Sequence, residues 1–508
     1  MLMDDVPAAL GVASPAPSPA ASGEAPAAAI PSWLASLVVH LLAVLLLAAS
    51  DLPAAVEPPL ALTARIAEAL DDPLHDAPLD VELAAEELDV DAPLVETVSA
   101  DVAAAATPVD LASVTEMAIA ESSDSLAPLV AEVGLLEVAS TSPAEFLAGG
   151  YGGRSAAGRA ELVRRAGGSA QSEKAVEESL DWLARHQLDD GSWSFDHRYG
   201  ECQGQCDHAG TLLNGAKGAT ALALLPFLGA GNTPLEGSRR RVVARGLDAL
   251  VAMMEPTRHG GSFYDGGQMY SHGIAAMALC EAYAMTGDER LAGPAQAAVN
   301  FICYAQDPQG GGWRYEPRQR GDTSVAGWQV AALKSAFLAG LAVPAVTPAK
   351  ASYFLDSVQV DQGEGYAYEQ QKLEYRGATS AIGLLCRMYL GTDHQHPVLR
   401  RGVQRLADAG PSTNDAYYNY YATQVVFQYT GGEGKMWDRW NKKMRDMLIE
   451  TRDAEGHARG SWQPRQGDHG RDKGGRLYAT ALNCMTLEVY YRLLPIYQEK
   501  AFKEGFDE

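Results

Sequence analysis

The first 153 residues of this 508-residue chain almost lack basic side chains. They contain one, Arg65, against 24 aspartates and glutamates, and so carry most of the formal net charge of −25. The rest of the chain is nearly balanced in charge, with 41 acids against 39 bases. Because nucleic-acid binding depends on an excess of clustered Lys and Arg, the composition argues against a nucleic-acid partner.

Aromatic side chains are also scarce in this N-terminal part of the chain. Residues 1–29 consist mainly of Ala, Pro, Ser and Gly, and residues 51–170 mix Ala, Pro, Leu and Val with many acids. Such stretches bury too little apolar surface to fold, and their like charges repel. We therefore expect a disordered tail over 1–29, an extended acidic spacer over 51–170, and a short tail over 498–508.

One long uncharged run separates the tail from the spacer. From Trp33 to Ala49 the chain has no formal charge over 17 residues. As a helix this run measures about 25 Å, close to the thickness of the hydrocarbon layer. A signal sequence is the alternative, but the run has no basic segment before it. We predict a transmembrane anchor over 30–50 and a single-pass membrane protein. The side on which the following domain lies is left open, because neither flank has an excess of Lys or Arg.

Cysteines are few, and only two of the six form a local pair. Cys202 and Cys206 lie in the loop FDHRYGECQGQCDHAG (195–210), with His197 and His208 nearby. Cys202, Cys206 and His208 are candidate metal ligands, with zinc as the candidate cofactor and His197 as a fourth ligand. A Cys202–Cys206 disulfide is the alternative, and the spacing does not decide between the two.

From residue 172 the chain consists of twelve helix-like segments in six pairs. The turn between the members of each pair carries an aromatic residue, and these recur with a period near 50: Trp193, Phe263, Trp313, Tyr366, Tyr418 and Trp462. The second segment of each pair, starting near 215, 271, 322, 376, 414 and 475, is apolar on nearly all faces. Such helices must be buried on all sides. We predict an all-α domain over 171–497, a single (α/α)6 toroid of six helical hairpins.

Several of these motifs resemble a known family. The turn HQLDDGSW (186–193) is similar to the Q-x-x-D-G-x-W motif of squalene–hopene and oxidosqualene cyclases. The helix starts DTSVAGWQVAAL and RLYATALNCMTL resemble the prenyltransferase and squalene oxidase repeat, shared with protein prenyltransferase β subunits. The chain thus resembles the terpenoid cyclase and protein prenyltransferase α/α-toroid superfamily. Its layout resembles the membrane-tethered members found in bacteria such as planctomycetes.

The chain departs from these enzymes at their catalytic residues. Gly321 stands where the cyclases have the proton-donating aspartate, although Asp322 and Thr323 match the end of that motif. The Asp-x-Cys of the zinc-binding prenyltransferases is absent. Standard squalene cyclisation is therefore not expected.

The loops that precede the inner helices supply the candidate site. In a toroid these loops converge on one mouth, where helix N-termini favour anionic groups. The candidate ligand-binding residues are Tyr270, His272, Trp313, Arg314, Arg318, Arg320 and Arg476. Asp322 is the candidate catalytic carboxylate. The alternative is that arginine–carboxylate pairs only tie the loops together and that Asp322 only caps its helix.

These observations support three hypotheses of function. The leading one is a membrane-anchored toroid that binds an apolar or isoprenoid ligand in its central cavity, as a binding module or a scaffold for a protein partner. The second is a zinc-dependent transferase that uses a prenyl diphosphate. The third is a carbohydrate-active enzyme that uses Asp265, Glu316 or Asp322, because glycoside hydrolysis requires two carboxyl groups.

Overall fold

The computed structural model describes residues 151–493, in which fourteen α-helices and two short hairpins form the fold. The helices are α1 (Ala156–Arg165), α2 (Ala170–Arg185), α3 (Ala216–Gly229), α4 (Arg240–Ala252), α5 (Gln268–Thr286), α6 (Glu289–Ala305), α7 (Thr323–Leu338), α8 (Val346–Ser357), α9 (Gly377–Tyr389), α10 (Pro397–Ala409), α11 (Ala416–Thr430), α12 (Gly434–Thr451), α13 (Arg471–Leu487) and α14 (Val489–Arg492). Strands β1 (Glu255–Thr257) and β2 (Gly260–Ser262) pair antiparallel, as do β3 (Gln359–Val360) and β4 (Gly365–Tyr366).

The odd-numbered helices α3 to α13 form a closed inner ring. Each packs against the next, and α13 packs against α3, which closes the circle. The even-numbered helices α2 to α12 lie outside them, each paired with an inner helix. The architecture resembles an (α/α)6 toroid, as predicted from the sequence. The inner helices begin within four residues of the predicted starts.

Burial explains why these two sets of helices have different sequences. In α3 and α7 nearly every residue is buried, because neighbours surround an inner helix on all sides. In α10 the buried residues lie on one stripe, with arginines and Gln404 outside it. The apolar pattern of each segment therefore follows from its layer in the ring.

The turn tryptophans belong to the framework of the repeats. Each indole is buried, and its N–H donates to a carbonyl near the end of the preceding outer helix. The bonds are Trp193 to Leu183 at 2.8 Å, Trp313 to Ile302 at 2.8 Å and Trp462 to Leu448 at 2.9 Å. Because the last carbonyls of a helix have no partner within it, these bonds satisfy groups that burial would otherwise leave unpaired.

Two turn glycines show why the motif requires glycine. Gly311 has φ of +75° and Gly460 has φ of +92°, values that favour glycine. A Cβ at either position would also lie 2.1 Å from a backbone oxygen of the next outer helix, Lys350 for Gly311 and Glu178 for Gly460. The second contact closes the ring, since Glu178 belongs to the first outer helix.

The N-terminal and C-terminal segments meet at the end of the ring where the inner helices finish. Arg154 donates to Glu281 of α5 at 2.9 Å, and Arg492 donates to the same carboxylate at 3.1 Å. Arg492 also donates to Glu488 at 3.3 Å. These four side chains are at most 3% exposed. The sequence analysis placed residues up to 170 in the acidic spacer, whereas residues 151–169 pack onto the ring through this buried charge cluster. No pattern in the sequence indicates these pairings.

The buried charge cluster predicts a pH-dependent stability. Burial raises the pKa of Glu488 from 4.5 to about 8, so the folded protein holds a proton there that the unfolded chain has already lost. The free energy of unfolding should therefore fall as pH rises from about 5 to about 8. Glu488→Gln should flatten this profile in urea unfolding at a series of pH values. Glu433→Gln, which changes an exposed partner of Arg165, is the control and should retain the parent profile.

None of the helices within residues 151–493 has the length and apolarity needed to cross a bilayer. The predicted anchor over 30–50, the N-terminal tail and most of the predicted spacer lie outside the described residues, as does the tail over 498–508. The anchor and the membrane localisation therefore stay predictions.

Candidate functional site

The N-termini of the inner helices gather at one end of the ring, here called the mouth. Hydrogen bonds join four of the six helix starts to the loop before the next inner helix: Lys217 N–H to the Asp265 carboxylate at 2.9 Å, Met269 N–H to the Tyr315 carbonyl at 3.1 Å, Thr323 N–H to the Tyr368 carbonyl at 2.9 Å, and Ala416 N–H to the Asp468 carboxylate at 3.0 Å. Backbone groups and two carboxylates thus hold consecutive repeats together at the mouth.

Tyrosines line this mouth and bond to one another through their hydroxyl groups. The partly exposed members are Tyr270, Tyr315, Tyr368, Tyr417 and Tyr478. Tyr270 donates to Ser324 at 2.8 Å, and Ser324 lies 3.0 Å from the Tyr417 hydroxyl. The Tyr315 and Tyr368 hydroxyls are 2.6 Å apart. Aromatic faces and hydroxyl groups therefore alternate around the mouth.

Asp322 is the N-cap of α7 and lies among these tyrosines. Its Oδ1 accepts the Val325 N–H at 2.8 Å, whereas its Oδ2 has no hydrogen-bond partner among the described residues. Burial raises its pKa to about 6, although the hydrogen bond from the Val325 N–H and the Arg314 charge partly oppose the rise. A carboxyl group with this pKa is partly protonated near neutral pH and can act as an acid.

Two further carboxylates lie in the same region. Asp415 caps α11 by accepting the Tyr418 N–H at 2.9 Å, and Asp468 accepts the Tyr478 hydroxyl at 3.0 Å. Burial raises the pKa of both carboxyl groups, and the negative charge of Asp415 raises that of Asp468 further. Both line a cleft together with Trp462 and the exposed Arg465. In the sequence Asp415 is one of the carboxylates in the loops before the inner helices, but the glycosidase hypothesis named Asp265, Glu316 and Asp322, because a capping aspartate looks the same whether or not it lies in a cleft.

Of the predicted ligand-binding arginines, Arg314 belongs to the mouth. It donates to Glu369 at 2.7 Å, and its guanidinium lies over the rings of Tyr315 and Tyr368. Arg318 lies instead over the Tyr304 ring, and Arg320 is exposed in the same loop. The structure thus brings Tyr270, Arg314 and Asp322 together.

Three predicted ligand-binding residues belong to the framework instead. Trp313 is buried in its turn, as described above. His272 is fully buried, and its Nδ1 accepts the Phe263 N–H at 3.1 Å while Nε2 lies 3.1 Å from the Ala298 carbonyl. Arg476 is buried and donates to Asp207 and Asp453. Their polar groups bond to the protein, so these three side chains hold the framework together, and the ligand role suggested for them by the sequence stays a prediction.

The other acids named from the sequence also have partners. Asp265 accepts the backbone N–H groups of Lys217 at 2.9 Å and of Gly267 at 2.8 Å, so it holds the loop before α5. Glu316 is exposed and accepts the Tyr264 hydroxyl. Both acids therefore accept hydrogen bonds within or between the loops of the mouth.

A second cluster, here called the clasp cluster, contains two cysteines and two histidines. It consists of His186, Cys202, Cys206 and His457, whose ligand atoms all lie within 4.8 Å of one another. The structure therefore brings Cys202 and Cys206 together as predicted, but not with His208. The His208 ring instead lies 2.9 Å from the Asp207 carboxylate. Both cysteines are free thiols in the structure.

The predicted fourth ligand, His197, lies beside the clasp cluster. Its ring packs 5.5 Å from that of His186, and neither of its nitrogens has a hydrogen-bond partner among the described residues. Burial lowers the pKa of His186 to about 3 and that of His197 to about 4, so both rings are neutral. Burial also raises the pKa of the Cys206 thiol to about 11, an effect that a bound cation would reverse.

Comparison with known proteins gives similarity only at the level of shape. No family model and no curated protein matches the chain. The α-1,6-mannanase GH76A of Salegentibacter sp. HEL1_6 is 10% identical, with 63% of this chain and 98% of the mannanase covered and a TM-score of 0.46. An inactive variant of it in complex with α-1,6-mannotriose is 9% identical, with 63% of this chain and 99% of the variant covered and a TM-score of 0.44. An α-amylase from Clostridium perfringens is 10% identical, with 63% of this chain and 97% of the amylase covered and a TM-score of 0.43.

The leading hypothesis from the sequence, an isoprenoid-binding toroid of the terpenoid cyclase and prenyltransferase superfamily, is corrected. The solved structures above are a mannanase and an α-amylase, and none of them is a terpenoid cyclase or a prenyltransferase. The motif that suggested the family uses its turn tryptophan and glycine to hold hairpins together, so it indicates the fold and not a ligand.

Proposed function

We propose that the protein is a carbohydrate-active enzyme that hydrolyses a glycosidic bond at the mouth of the ring. The observation that carries this proposal is Asp322, a buried carboxyl group with a free Oδ2 and a pKa raised to about 6. Glycoside hydrolysis needs a carboxylic acid that stays protonated near neutral pH and a second carboxyl group beside it. The mouth supplies both types of group.

The side chains around Asp322 suit a sugar. Tyrosine rings offer apolar faces on which pyranose C–H groups pack, and their hydroxyls can donate to and accept from sugar hydroxyls. Tyr270, Tyr315 and Tyr417 supply these rings, and Ser324 bridges two of them.

In the proposed reaction Asp322 donates its proton to the glycosidic oxygen as the bond to the anomeric carbon breaks. Asp415 is the second carboxyl group, because it is partly exposed in the cleft whereas Asp468 is more buried and accepts the Tyr478 hydroxyl. Asp415 either removes a proton from the attacking water or attacks the anomeric carbon itself. In both cases one water is consumed, and the products are a new reducing end and an alcohol.

The full chain is incubated with a panel of oligosaccharides, and hydrolysis is measured as the release of reducing ends. The panel should include α-1,6-mannooligosaccharides, the ligand class in the complex described above. Proton NMR of the first product then gives its anomeric configuration. Inversion would assign Asp415 as a base and retention would assign it as a nucleophile. The proposal is contradicted if the protein is folded by circular dichroism and hydrolyses no oligosaccharide of the panel.

A further inference from the structure

The clasp cluster has the dimensions of a metal site. For a tetrahedral Zn²⁺ ion with sulfur and nitrogen ligands, ordinary bond lengths place neighbouring ligand atoms about 3.3–3.8 Å apart. The Cys206 sulfur lies 3.3 Å from Nδ1 of His457 and 3.7 Å from Nε2 of His186. These two separations fall within this range, and all four ligand atoms lie within 4.8 Å of one another. Two thiolates would also neutralise the charge of the ion, as burial requires.

The surroundings orient His186 as a ligand. Its Nδ1 lies 2.6 Å from the Trp182 carbonyl, one turn earlier in α2, so this nitrogen carries the hydrogen and donates it. Nε2 is then the nitrogen with the free electron pair, and Nε2 is the atom that faces Cys206. Metal-bound histidines are usually fixed in this way, by a hydrogen bond from the ring nitrogen that does not bind the metal. The Trp182 ring stacks on His186 at 3.9 Å and holds its plane.

A disulfide accounts for this arrangement less well. It would use Cys202 and Cys206 and leave two imidazole nitrogens aimed at sulfurs that no longer need a partner. His457 comes from the last turn of the ring, some 250 residues along the chain from Cys206. A local disulfide gives no reason for a residue from so distant a turn to join the group.

The four ligands come from the two ends of the ring. His186 ends the first outer helix and the cysteines lie in the first turn, whereas His457 lies between α12 and α13. The first and last repeats already meet here, through Gly460 and through Arg452 and Arg459, which pair with Glu178 at 2.8 Å and 2.6 Å. A closed ring has one such junction where no chain connection holds the repeats together.

We propose that the clasp cluster binds one Zn²⁺ ion that fastens the last repeat to the first. Four protein ligands fill a tetrahedral shell and leave no open position, so the ion is structural. Cys202, Cys206 and His186 are buried and His457 is half-buried, which leaves the ion an entry path at the His457 side. This role is independent of hydrolysis at the mouth.

The test is the zinc content of the full chain, purified without added metal or chelator and measured by native mass spectrometry and elemental analysis. We expect one zinc per chain in the parent, and none in Cys206→Ser or His457→Ala. His208→Ala is the matched control, because His208 is also a partly exposed loop histidine near the cysteines but lies outside the clasp cluster. This variant should keep its zinc.

Two measurements on the parent protein keep the proposal testable if the variants fail to fold. Exchange of zinc for Co²⁺ should give the visible d–d bands of a tetrahedral site and a thiolate-to-cobalt charge-transfer band. Removal of the metal with a chelator should lower Tm by roughly 5 °C or more, and added Zn²⁺ should restore it. The proposal is overturned if the parent protein takes up no zinc, or if its mass is two hydrogens below the calculated value because a disulfide has formed. It is also overturned if Cys206→Ser and His457→Ala retain zinc.

Discussion

Asp322→Asn is expected to reduce glycoside hydrolysis by about 10²–10⁴-fold, the usual contribution of a positioned general acid. Asparagine has nearly the same shape and no proton to give to the leaving oxygen. It is also as good an N-cap as aspartate, so the bond from the Val325 N–H should persist and α7 should remain intact. The measurement is kcat/KM on the best substrate of the panel, beside the unfolding midpoint.

Asp288→Asn is the matched control for this substitution. Asp288 is also an aspartate N-cap, accepting the Arg290 N–H at 3.0 Å, but it follows the C-terminus of α5 and so lies at the end of the ring away from the mouth. Its activity should equal that of the parent. If Asp322→Asn were as active as Asp288→Asn, Asp322 would only cap its helix, and the assignment of the acid would be wrong.

The pH profile of the parent gives an independent readout of the same residue. The proton on Asp322 is required, and its pKa is raised to about 6 by burial, so kcat/KM should decline as pH rises through about 6. An activity that keeps rising well above this pH would identify a different acid.

Trp313→Ala is expected to lower the free energy of unfolding by about 3–5 kcal/mol, the usual cost of truncating a buried large aromatic residue. The substitution leaves a cavity where the indole packed and removes the donor for the Ile302 carbonyl. Trp313→Phe should cost less, because the ring is largely kept and only the hydrogen bond is lost. Phe263 occupies the equivalent turn position in the second repeat, which shows that phenylalanine fits such a turn. Urea unfolding of the full chain gives both values.

The control for this series is Tyr353→Ala, which truncates an aromatic side chain that is 50% exposed on α8. Its cost should be within about 0.5 kcal/mol. The series also tests the ligand role that the sequence suggested for Trp313. Stable Trp313→Phe protein should bind and hydrolyse substrate as the parent does, whereas a large rise in KM without loss of stability would restore the ligand role.

The ring itself was predictable because it depends on local patterns repeated many times. A helix that is apolar on all faces must be inner, a helix with one apolar stripe must be outer, and α3 and α10 show the two cases. The turn glycine and tryptophan mark each repeat, since a positive φ and a buried indole are needed wherever one hairpin meets the next. A wrong prediction for one hairpin is corrected by the pattern of the other five hairpins.

The candidate sites depended on contacts that the pattern does not contain. His457 contacts Cys206 although about 250 residues separate the two in the chain. The sequence contains one sign of this contact, because His186 in the first repeat and His457 in the last both stand shortly before a Gly-Ser-Trp turn. Alignment of these two turns would have pointed to them before His208, which is merely closer in sequence. Arg154 is a similar case, because a single arginine at the edge of an acidic segment gave no sign of its buried pairing with Glu281.

The sequence by itself thus determined the twelve helices of the ring, their layers and the number of hairpins, because hydrophobic period and turn chemistry act over a few residues. Tertiary structure alone decided which polar side chains belong to the framework. His272, Trp313 and Arg476 look the same in the sequence as Tyr270, Arg314 and Asp322, yet the first three hold turns and loops together and the others lie at the mouth. The difference is one of place in the ring, and that place is set by contacts between residues distant in the chain that closure of the ring brings near.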